Sequence, residues 1–253
     1  MDVPFVDTDE RLDTLVGTDL KLIQKIDGTA FAIDTLLLAS FVELPPGGAK
    51  VADLGSGSGV LSFMLHYRKP SLEITGFEVL EELHGLSQRN LQLNPNVKNL
   101  SFECCDVRDI PARHFPESFD LVVSNPPYYP KGIGLLPPNP ARAAARHEIN
   151  GTLTDFLEAA AYLLTYGSKL VMIIHTSRFN EAAKTLKDLN FGMRRLRFIH
   201  PKEGQNAHLA LIEAERFYNG PHEPVPSLTI HQADGKICAE AAEIMSLGLK
   251  RSR

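Results

Sequence analysis

A glycine-rich segment between a predicted strand and a predicted helix is the first place where this sequence can do chemistry. It reads Val51-Ala-Asp-Leu-Gly-Ser-Gly-Ser-Gly59, with Asp53 two residues before the first glycine. Glycines let a ligand approach the backbone, and the helix that follows offers free N–H groups. Dinucleotide loops have the spacing G-x-G-x-x-G, whereas this one is G-x-G-x-G, and the Asp53 carboxylate would repel a pyrophosphate. The segment favours a cofactor with a cationic amino-acid end, S-adenosylmethionine (SAM), over a turn without a ligand.

Two acidic residues follow the ends of the next two predicted strands. Glu78 lies 21 residues after Gly57, at the distance where a carboxylate binds ribose hydroxyls in nucleotide folds. Asp106 follows Cys104-Cys105 at the end of the third strand, where it can accept a hydrogen bond from an adenine amino group. A solvated charge at Glu78 and a helix cap or turn at Asp106 are the alternatives.

A second motif, Asn125-Pro126-Pro127-Tyr128, directly follows the predicted strand 120–124. The prolines stiffen the turn and remove two N–H donors, which leaves the Asn125 side-chain oxygen and nearby carbonyls as acceptors. Such a set suits a planar NH2 group, and Tyr128 offers a flat face for stacking. A sulfonium methyl needs no activation, so catalysis would come from position and polarity. A plain proline loop is the alternative.

The elements around these motifs alternate between strand and helix after the breaker Leu44-Pro-Pro-Gly-Gly48. This alternation predicts an α/β fold with a mostly parallel sheet and helices on both faces, and the two strands 191–200 and 207–214 add an antiparallel hairpin edge. In the lead-in, Asp34 is predicted to cap a short helix over 35–42. The other predicted strands are 50–54, 72–77, 100–104, 119–124, 169–174 and 228–231, and the other predicted helices are 60–67, 80–93, 153–164, 180–189 and a final helix after Gly235.

Composition narrows the class of protein. The chain has 253 residues, 43% hydrophobic and 23% charged, with a formal charge of −5, as is ordinary for a soluble globular domain. No apolar run approaches the roughly 18 residues of a membrane span. The acidic N-terminus has no signal-peptide pattern, and three scattered cysteines indicate reduced thiols, so we expect a cytoplasmic protein. No cysteine or histidine spacing predicts a metal site.

The two motifs together resemble the class I SAM-dependent methyltransferases that act on exocyclic or amide nitrogens. Further segments, Glu10-Arg-Leu-Asp13, Leu22-Ile-Gln24, residues 31–39 and Ala145-Arg-His-Glu148, are similar to the bacterial tRNA1(Val) (adenine37-N6)-methyltransferase family. The resemblance implies a Rossmann-like, seven-stranded sheet with SAM as cofactor. It also implies a tRNA partner, methylated at adenine N6 next to the anticodon. One domain is expected, with a lead-in (1–48), a core (49–215) and a C-terminal appendage (216–253).

Carried to this chain, the resemblance implies roles for individual residues. The cofactor residues would be Asp34, Asp53, Gly55, Gly57, Glu78, Asp106 and Asn125, and the catalytic residues Asn125, Pro126, Pro127 and Tyr128.

Basic residues predict where an RNA would lie, because lysine and arginine contacts to phosphates dominate RNA affinity. The predicted contacts are Arg197 and Lys202 in the basic stretch 193–202, and Arg142 and Arg146 on the loop after Tyr129. A loop beside the Asn125–Tyr128 motif, which we call the clamp, could bind a base that has flipped out of the RNA. His147 as a proton shuttle is a weaker hypothesis, since a lone histidine is usually structural.

Other functions stay open at this point. The same chemistry could act on guanine N2 of rRNA or on glutamine N5 of a protein, although enzymes of the latter type carry a longer helical N-terminal domain. The chain could be a non-catalytic SAM-binding subunit, but such proteins usually lose the clamp. An NAD-dependent dehydrogenase is disfavoured by the loop spacing and by Asp53. The oligomeric state is not predicted.

Overall fold

The computed structural model describes residues 6–15, 17–26, 33–128 and 151–247. The strands are β1 (Glu10–Thr14), β2 (Lys21–Lys25), β3 (Lys50–Leu54), β4 (Glu73–Glu78), β5 (Leu100–Cys104), β6 (Phe119–Ser124), β7 (Leu164–His175), β8 (Phe191–Lys202), β9 (Leu209–Arg216), β10 (Glu223–Pro224) and β11 (Leu228–His231). The helices are α1 (Ile33–Phe41), α2 (Val60–Arg68), α3 (Glu81–Leu93), α4 (Ile110–Arg113), α5 (Leu153–Leu163), α6 (Phe179–Asp188) and α7 (Ala239–Leu247), and short 3₁₀ turns cover Val107–Asp109 and Thr176–Arg178.

One large sheet organises the molecule. Its strand order is β10-β8-β9-β7-β6-β3-β4-β5, and β11 also pairs with β8. Strands β3 to β7 are mutually parallel, whereas β9 runs antiparallel to both β7 and β8. This confirms the predicted Rossmann-like sheet with a hairpin edge, and two short C-terminal strands extend the predicted seven strands to nine.

The chain order creates a crevice at the centre of this sheet. The chain runs from β3 outward to β4 and β5, then returns to β6 on the other side of β3. Loops that leave β3 and β6 therefore diverge at their carboxyl ends. Ligands of open α/β sheets bind at such a switch point.

Apolar side chains cover both faces of the sheet, as expected for buried parallel strands. On β7, Val171 and Ile173 join the core beneath α1, α2 and α7. Their neighbours Leu170 and Met172 join the opposite core beneath α5 and α6. Among the described helices, none combines the length and apolar composition needed to cross a bilayer.

The lead-in contains an antiparallel pair, β1 and β2, that was not predicted. Strand β2 buries three consecutive residues. Buried and exposed positions therefore do not alternate along it, and its sequence lacks the alternating pattern that predicts a strand. Asn90 of α3 and Asn94, the C-cap residue of that helix, complete its edge. Asn90 exchanges hydrogen bonds with the backbone of Ile23 (2.7 and 3.2 Å), and Asn94 does the same with Lys21 (3.1 and 2.7 Å). These side chains act as the missing neighbour strand.

Helix α1 starts earlier than predicted. It begins at Ile33, so Asp34 lies inside the first turn and not at the N-cap position. The predicted capping role of Asp34 is therefore wrong, and its carboxylate is used elsewhere.

Candidate active site

The glycine loop (Gly55–Gly59) leaves the carboxyl end of β3, and each of its glycines has a positive φ: 73° at Gly55, 57° at Gly57 and 88° at Gly59. These angles favour glycine. Their surroundings differ. A Cβ on Gly59 would overlap the ring of Phe102, whereas a Cβ on Gly57 would meet nothing within 4 Å. Gly59 is thus required for packing, and Gly57 leaves the backbone open toward the crevice.

Asp53 lies beneath this loop. Its side chain is 1% exposed, and its Oδ2 accepts a hydrogen bond from the Ser62 hydroxyl at 2.6 Å. Burial raises the pKa of Asp53 to about 7, and the neighbouring negative charge of Glu78 adds to the increase.

Glu78 ends β4 and ties the glycine loop to that strand. Its carboxylate accepts hydrogen bonds from the N–H of Gly57 at 2.8 Å and of Leu80 at 2.9 Å. Burial raises the pKa of Glu78, although both N–H groups favour its charged form. Within the part of the chain that the structure describes, no lysine or arginine forms an ion pair with Glu78 or Asp53.

Asp106 follows β5 at the same edge of the sheet, but it already has a partner. It caps the 3₁₀ turn by accepting from the Arg108 N–H, and it also binds the Arg108 guanidinium at 2.9 Å (Nε) and 2.5 Å (Nη2). The Arg108 hydrogen bonds lower the pKa of Asp106. The structure thus shows the predicted alternative, a turn aspartate, at the predicted place.

The Asn-Pro-Pro-Tyr turn (Asn125–Tyr128) leaves β6 directly beside the glycine loop. Leu54 and Ser124 are register partners on adjacent strands, and the Ser124 hydroxyl donates to the Leu54 carbonyl at 2.8 Å. Gly55 and Asn125 therefore leave neighbouring strands side by side, about 4.8 Å apart. Pro126 is buried, and the other three residues of the turn are half-buried.

Asp34 reaches this turn from the lead-in. The Tyr128 hydroxyl donates to its Oδ2 at 2.7 Å. The structure thus brings Asp34, the glycine loop, Glu78 and the Asn-Pro-Pro-Tyr turn to one edge of the sheet, with Asp106 one strand further on.

The arginines of the basic stretch 193–202 form ion pairs with glutamates of the same chain. Arg197 is largely buried and donates to Glu240 of α7 at 2.6 Å, so its predicted contact with RNA would require this ion pair to open. Arg194 and Arg195 likewise pair with glutamates of β9.

Lys202 differs from these arginines, because it has no ion-pair partner in the described ranges. It ends β8, which lies three strands from β6. Leu196 of β8 is in register with Ser124 at the end of β6, so Lys202, six residues later, lies about 20 Å beyond that end along the strand direction. The predicted contacts Arg142 and Arg146, and His147, lie outside the described residues.

Two partners at the site were missed from sequence. A hydroxyl in the helix after a buried acid, as at Ser62 and Asp53, is a signal that could have been used. The same holds for Arg108, two residues after Asp106.

Comparison with known proteins places the chain in a family. Residues 27–196, more than half of the chain, match the family described as the methyltransferase small domain. The chain belongs to this family. Membership confirms the predicted recognition as a SAM-dependent methyltransferase, and with it the predicted cofactor.

Individual relatives carry more detailed names. The chain is 29% identical over 185 residues to a tRNA1(Val) (adenine(37)-N6)-methyltransferase of Tolumonas auensis, covering 72% of this chain and 75% of the relative. It is 25% identical over 214 residues to the protein of the same name from Yersinia pseudotuberculosis, covering 84% and 82%. A crystal structure of a predicted O-methyltransferase from Agrobacterium tumefaciens has a TM-score of 0.68 at 22% identity, covering 87% and 98%, and shows the same fold.

The residues of the crevice fit this cofactor. The open face at Gly57 leaves room for a ligand against the backbone. The buried Ser56 hydroxyl in the same loop has no hydrogen-bond partner in the described part of the protein. Asp53 and Glu78 supply carboxylates that no lysine or arginine of the described residues neutralises, as a positively charged ligand requires.

Proposed function

We propose that this protein transfers a methyl group from SAM to the exocyclic N6 of an adenine in tRNA, at the adenosine next to the anticodon. The observation that carries the proposal is the adjacency of Gly55 and Asn125 at the switch point of the sheet. A cofactor in the glycine loop and an amino group at Asn125 would then be direct neighbours, as in-line transfer requires. The names of the curated relatives support the choice of tRNA and of adenine N6, and a tRNA substrate implies a cytoplasmic location.

On the cofactor side, each of three acidic residues would interact with a different part of SAM. Glu78 is placed to accept hydrogen bonds from ribose hydroxyls, and Asp106 to accept from the adenine amino group while it retains Arg108. Asp53 adds a buried negative charge below the loop. When bound, SAM supplies a methyl group on a positively charged sulfur.

On the substrate side, the Asn-Pro-Pro-Tyr turn binds the amino group through acceptors alone. The Asn125 side-chain oxygen and a backbone carbonyl would each accept one N6 hydrogen, which orients the nitrogen lone pair toward the methyl group. Pro126 and Pro127 have no N–H to compete for these acceptors. The Tyr128 ring would stack on the base. Arg142, Arg146 and Lys202 remain proposed contacts to RNA phosphates.

The test is transfer of radiolabelled methyl from SAM to bulk tRNA that lacks this modification, followed by identification of the labelled nucleoside. We expect the label in N6-methyladenosine. N2-methylguanosine would overturn the adenine assignment, and label only in protein glutamine would overturn the RNA substrate. Activity of the purified chain alone excludes the non-catalytic subunit.

A matched pair of variants links this activity to the clamp. Asn125→Ala should lower the transfer rate by about 100-fold or more, because it removes an acceptor that fixes the reacting nitrogen. SAM binding should change little. Asn180→Ala, which alters an exposed asparagine of α6, should leave the rate unchanged. Full activity of Asn125→Ala would contradict the proposed clamp.

A further inference from the structure

One hydrogen bond joins the lead-in to the proposed catalytic turn. The Tyr128 hydroxyl donates to the carboxylate of Asp34 at 2.7 Å, across 94 residues of sequence. Both side chains are half-buried. The bond attaches the far end of the Tyr128 ring to the first turn of α1.

The other end of α1 is fixed to the body of the protein independently of the site. The Arg68 guanidinium donates to the carbonyl of Val42 at 3.0 Å, just after the helix. The next residue, Glu43, forms ion pairs with Arg195 (2.9 Å) and Lys169 (3.3 Å) on the sheet. These contacts make α1 a firm support, so its first turn has a defined position relative to β6.

We infer that Asp34 is a positioning residue that sets the orientation of the Tyr128 ring. Pro126 and Pro127 restrict the backbone before Tyr128, so the main remaining freedom is rotation of the tyrosine side chain. A hydrogen bond from a neutral hydroxyl to a carboxylate is stronger than one between two neutral groups. It restricts the rotation of the Tyr128 side chain by holding its hydroxyl end. The direction of the ring axis, from Cβ to the hydroxyl, is then set before a base arrives.

The inference deepens the proposed function and rests on it, because ring orientation matters only if a base stacks on Tyr128. It also redefines Asp34, which the resemblance implied as a cofactor residue. If Asp34 acts through Tyr128, its loss should impair use of the RNA substrate and leave the affinity for SAM intact.

The kinetic test is a double-mutant cycle on tRNA methylation with Asp34→Ala, Tyr128→Phe and the double variant. Each single variant should lower kcat/KM for tRNA by about 10-fold, the size of one charge-assisted hydrogen bond, and the double variant should be no worse than Tyr128→Phe. The Kd for SAM should stay within about twofold. Asp34→Asn, which keeps an acceptor oxygen, should restore part of the loss.

Asp19→Asn, an exposed aspartate of the lead-in, is the control and should behave as the unmodified protein. Multiplicative losses in the double variant would overturn the inference. So would a Kd for SAM that rises about 10-fold in Asp34→Ala and not in Tyr128→Phe, since Asp34 would then act on the cofactor directly.

A second readout does not depend on activity. The chain has six tyrosines, so 19F NMR of protein labelled with 3-fluorotyrosine should give few, separable signals, and Tyr128→Phe identifies the one from Tyr128. Asp34→Ala, or Asp34→Asn if the alanine variant does not fold, should shift that signal and spare the others. An unmoved Tyr128 signal overturns the inference. If Asp34→Ala shifts the Tyr128 signal but the unmodified protein does not methylate tRNA, the proposed function is refuted while the contact between Asp34 and Tyr128 is supported.

Discussion

Buried carboxylates on strands β1 and β9 differ from those at the carboxyl edge of the central strands, because among the described residues only the former have lysine or arginine partners. In the β9 strand and the lead-in, Glu213 and Glu10 each contact two basic side chains at 2.5–3.3 Å. At the carboxyl edge of the sheet, Asp53 and Glu78 contact a serine hydroxyl and backbone N–H groups instead.

The pKa values separate the two regions in the same way. Burial alone would raise the pKa of Glu10, but hydrogen bonds from Arg89 and Lys25 hold it at about 2. Burial without a cation raises the pKa of Asp53 to about 7. Glu10 and Glu213 are neutralised within the fold, whereas Asp53 and Glu78 have no lysine or arginine partner among the described residues.

The largest expected effect is on the pH dependence of stability. Because the pKa of Asp53 rises from 3.8 to about 7 on folding, the folded state binds the proton more tightly. The free energy of unfolding should therefore fall as pH rises from about 4 to about 7, by up to about 4 kcal/mol. Asp53→Asn should reduce this fall, and the raised pKa of Glu78 should account for what remains, as measured by urea unfolding at pH 5 and pH 7.5.

Glu10 provides the opposite slope, but only below the two pH values of that experiment. Its folded pKa is depressed from 4.5 to about 2, so its stabilising contribution is lost as pH falls through that range. A ligand-free protein whose stability is equal at pH 5 and pH 7.5 would contradict the assignment of Asp53 as an unneutralised acid.

Removing a neutralised acid should affect stability and not the cofactor. Glu213→Gln leaves Lys169 and Arg195 without their buried counter-charge, so we expect a loss of about 3 kcal/mol and a Tm lower by about 6–12 °C. The Kd for SAM should change less than twofold. Glu215→Gln, whose partner Arg194 is more exposed, should cost about 1 kcal/mol or less.

Removing an acid of the site should lower the affinity for SAM without lowering the stability of the ligand-free protein. Glu78→Gln removes a charge-assisted acceptor and should weaken SAM binding by about 10- to 100-fold. The Tm of the ligand-free protein should stay equal or rise, because a buried charge without a cation is removed. Glu73→Gln, at the exposed start of the same strand, is the control and should alter neither quantity. Loss of stability with unchanged affinity would place Glu78 with the structural acids.

The smallest effect concerns the basic stretch. Arg197→Ala should cost less than about 1 kcal/mol, because its partner Glu240 is largely exposed, and it should leave KM for tRNA unchanged. Lys202→Ala should raise that KM by about two- to threefold if Lys202 contacts a phosphate. Equal rises in both variants would show that the ion pair with Glu240 opens for RNA.

The strands that carry the site could be predicted because their signals are local. β3, β4 and β6 are short apolar runs, each followed at once by a glycine, an acid or an asparagine with prolines. Parallel strands place such ends at one edge, so the grouping of Gly57, Glu78 and Asn125 followed from topology.

Features that depend on distant partners could not be predicted. The edge of β2 is completed by Asn90 and Asn94 of α3, which no periodicity in the lead-in announces. Arg197 pairs with Glu240, and the two residues meet only because of where α7 packs. Spacing alone does not say whether an arginine meets RNA or a glutamate of its own chain.

The most direct test of the contrast between the two regions is calorimetric titration of SAM at pH 6.5 in buffers of different ionisation enthalpy. A cationic ligand that meets Asp53 and Glu78 should lower their raised pKa values, so binding should release protons. We expect this release in the unmodified protein and in Glu213→Gln, and a smaller one in Asp53→Asn and Glu78→Gln. A binding enthalpy that does not depend on the buffer would contradict the account.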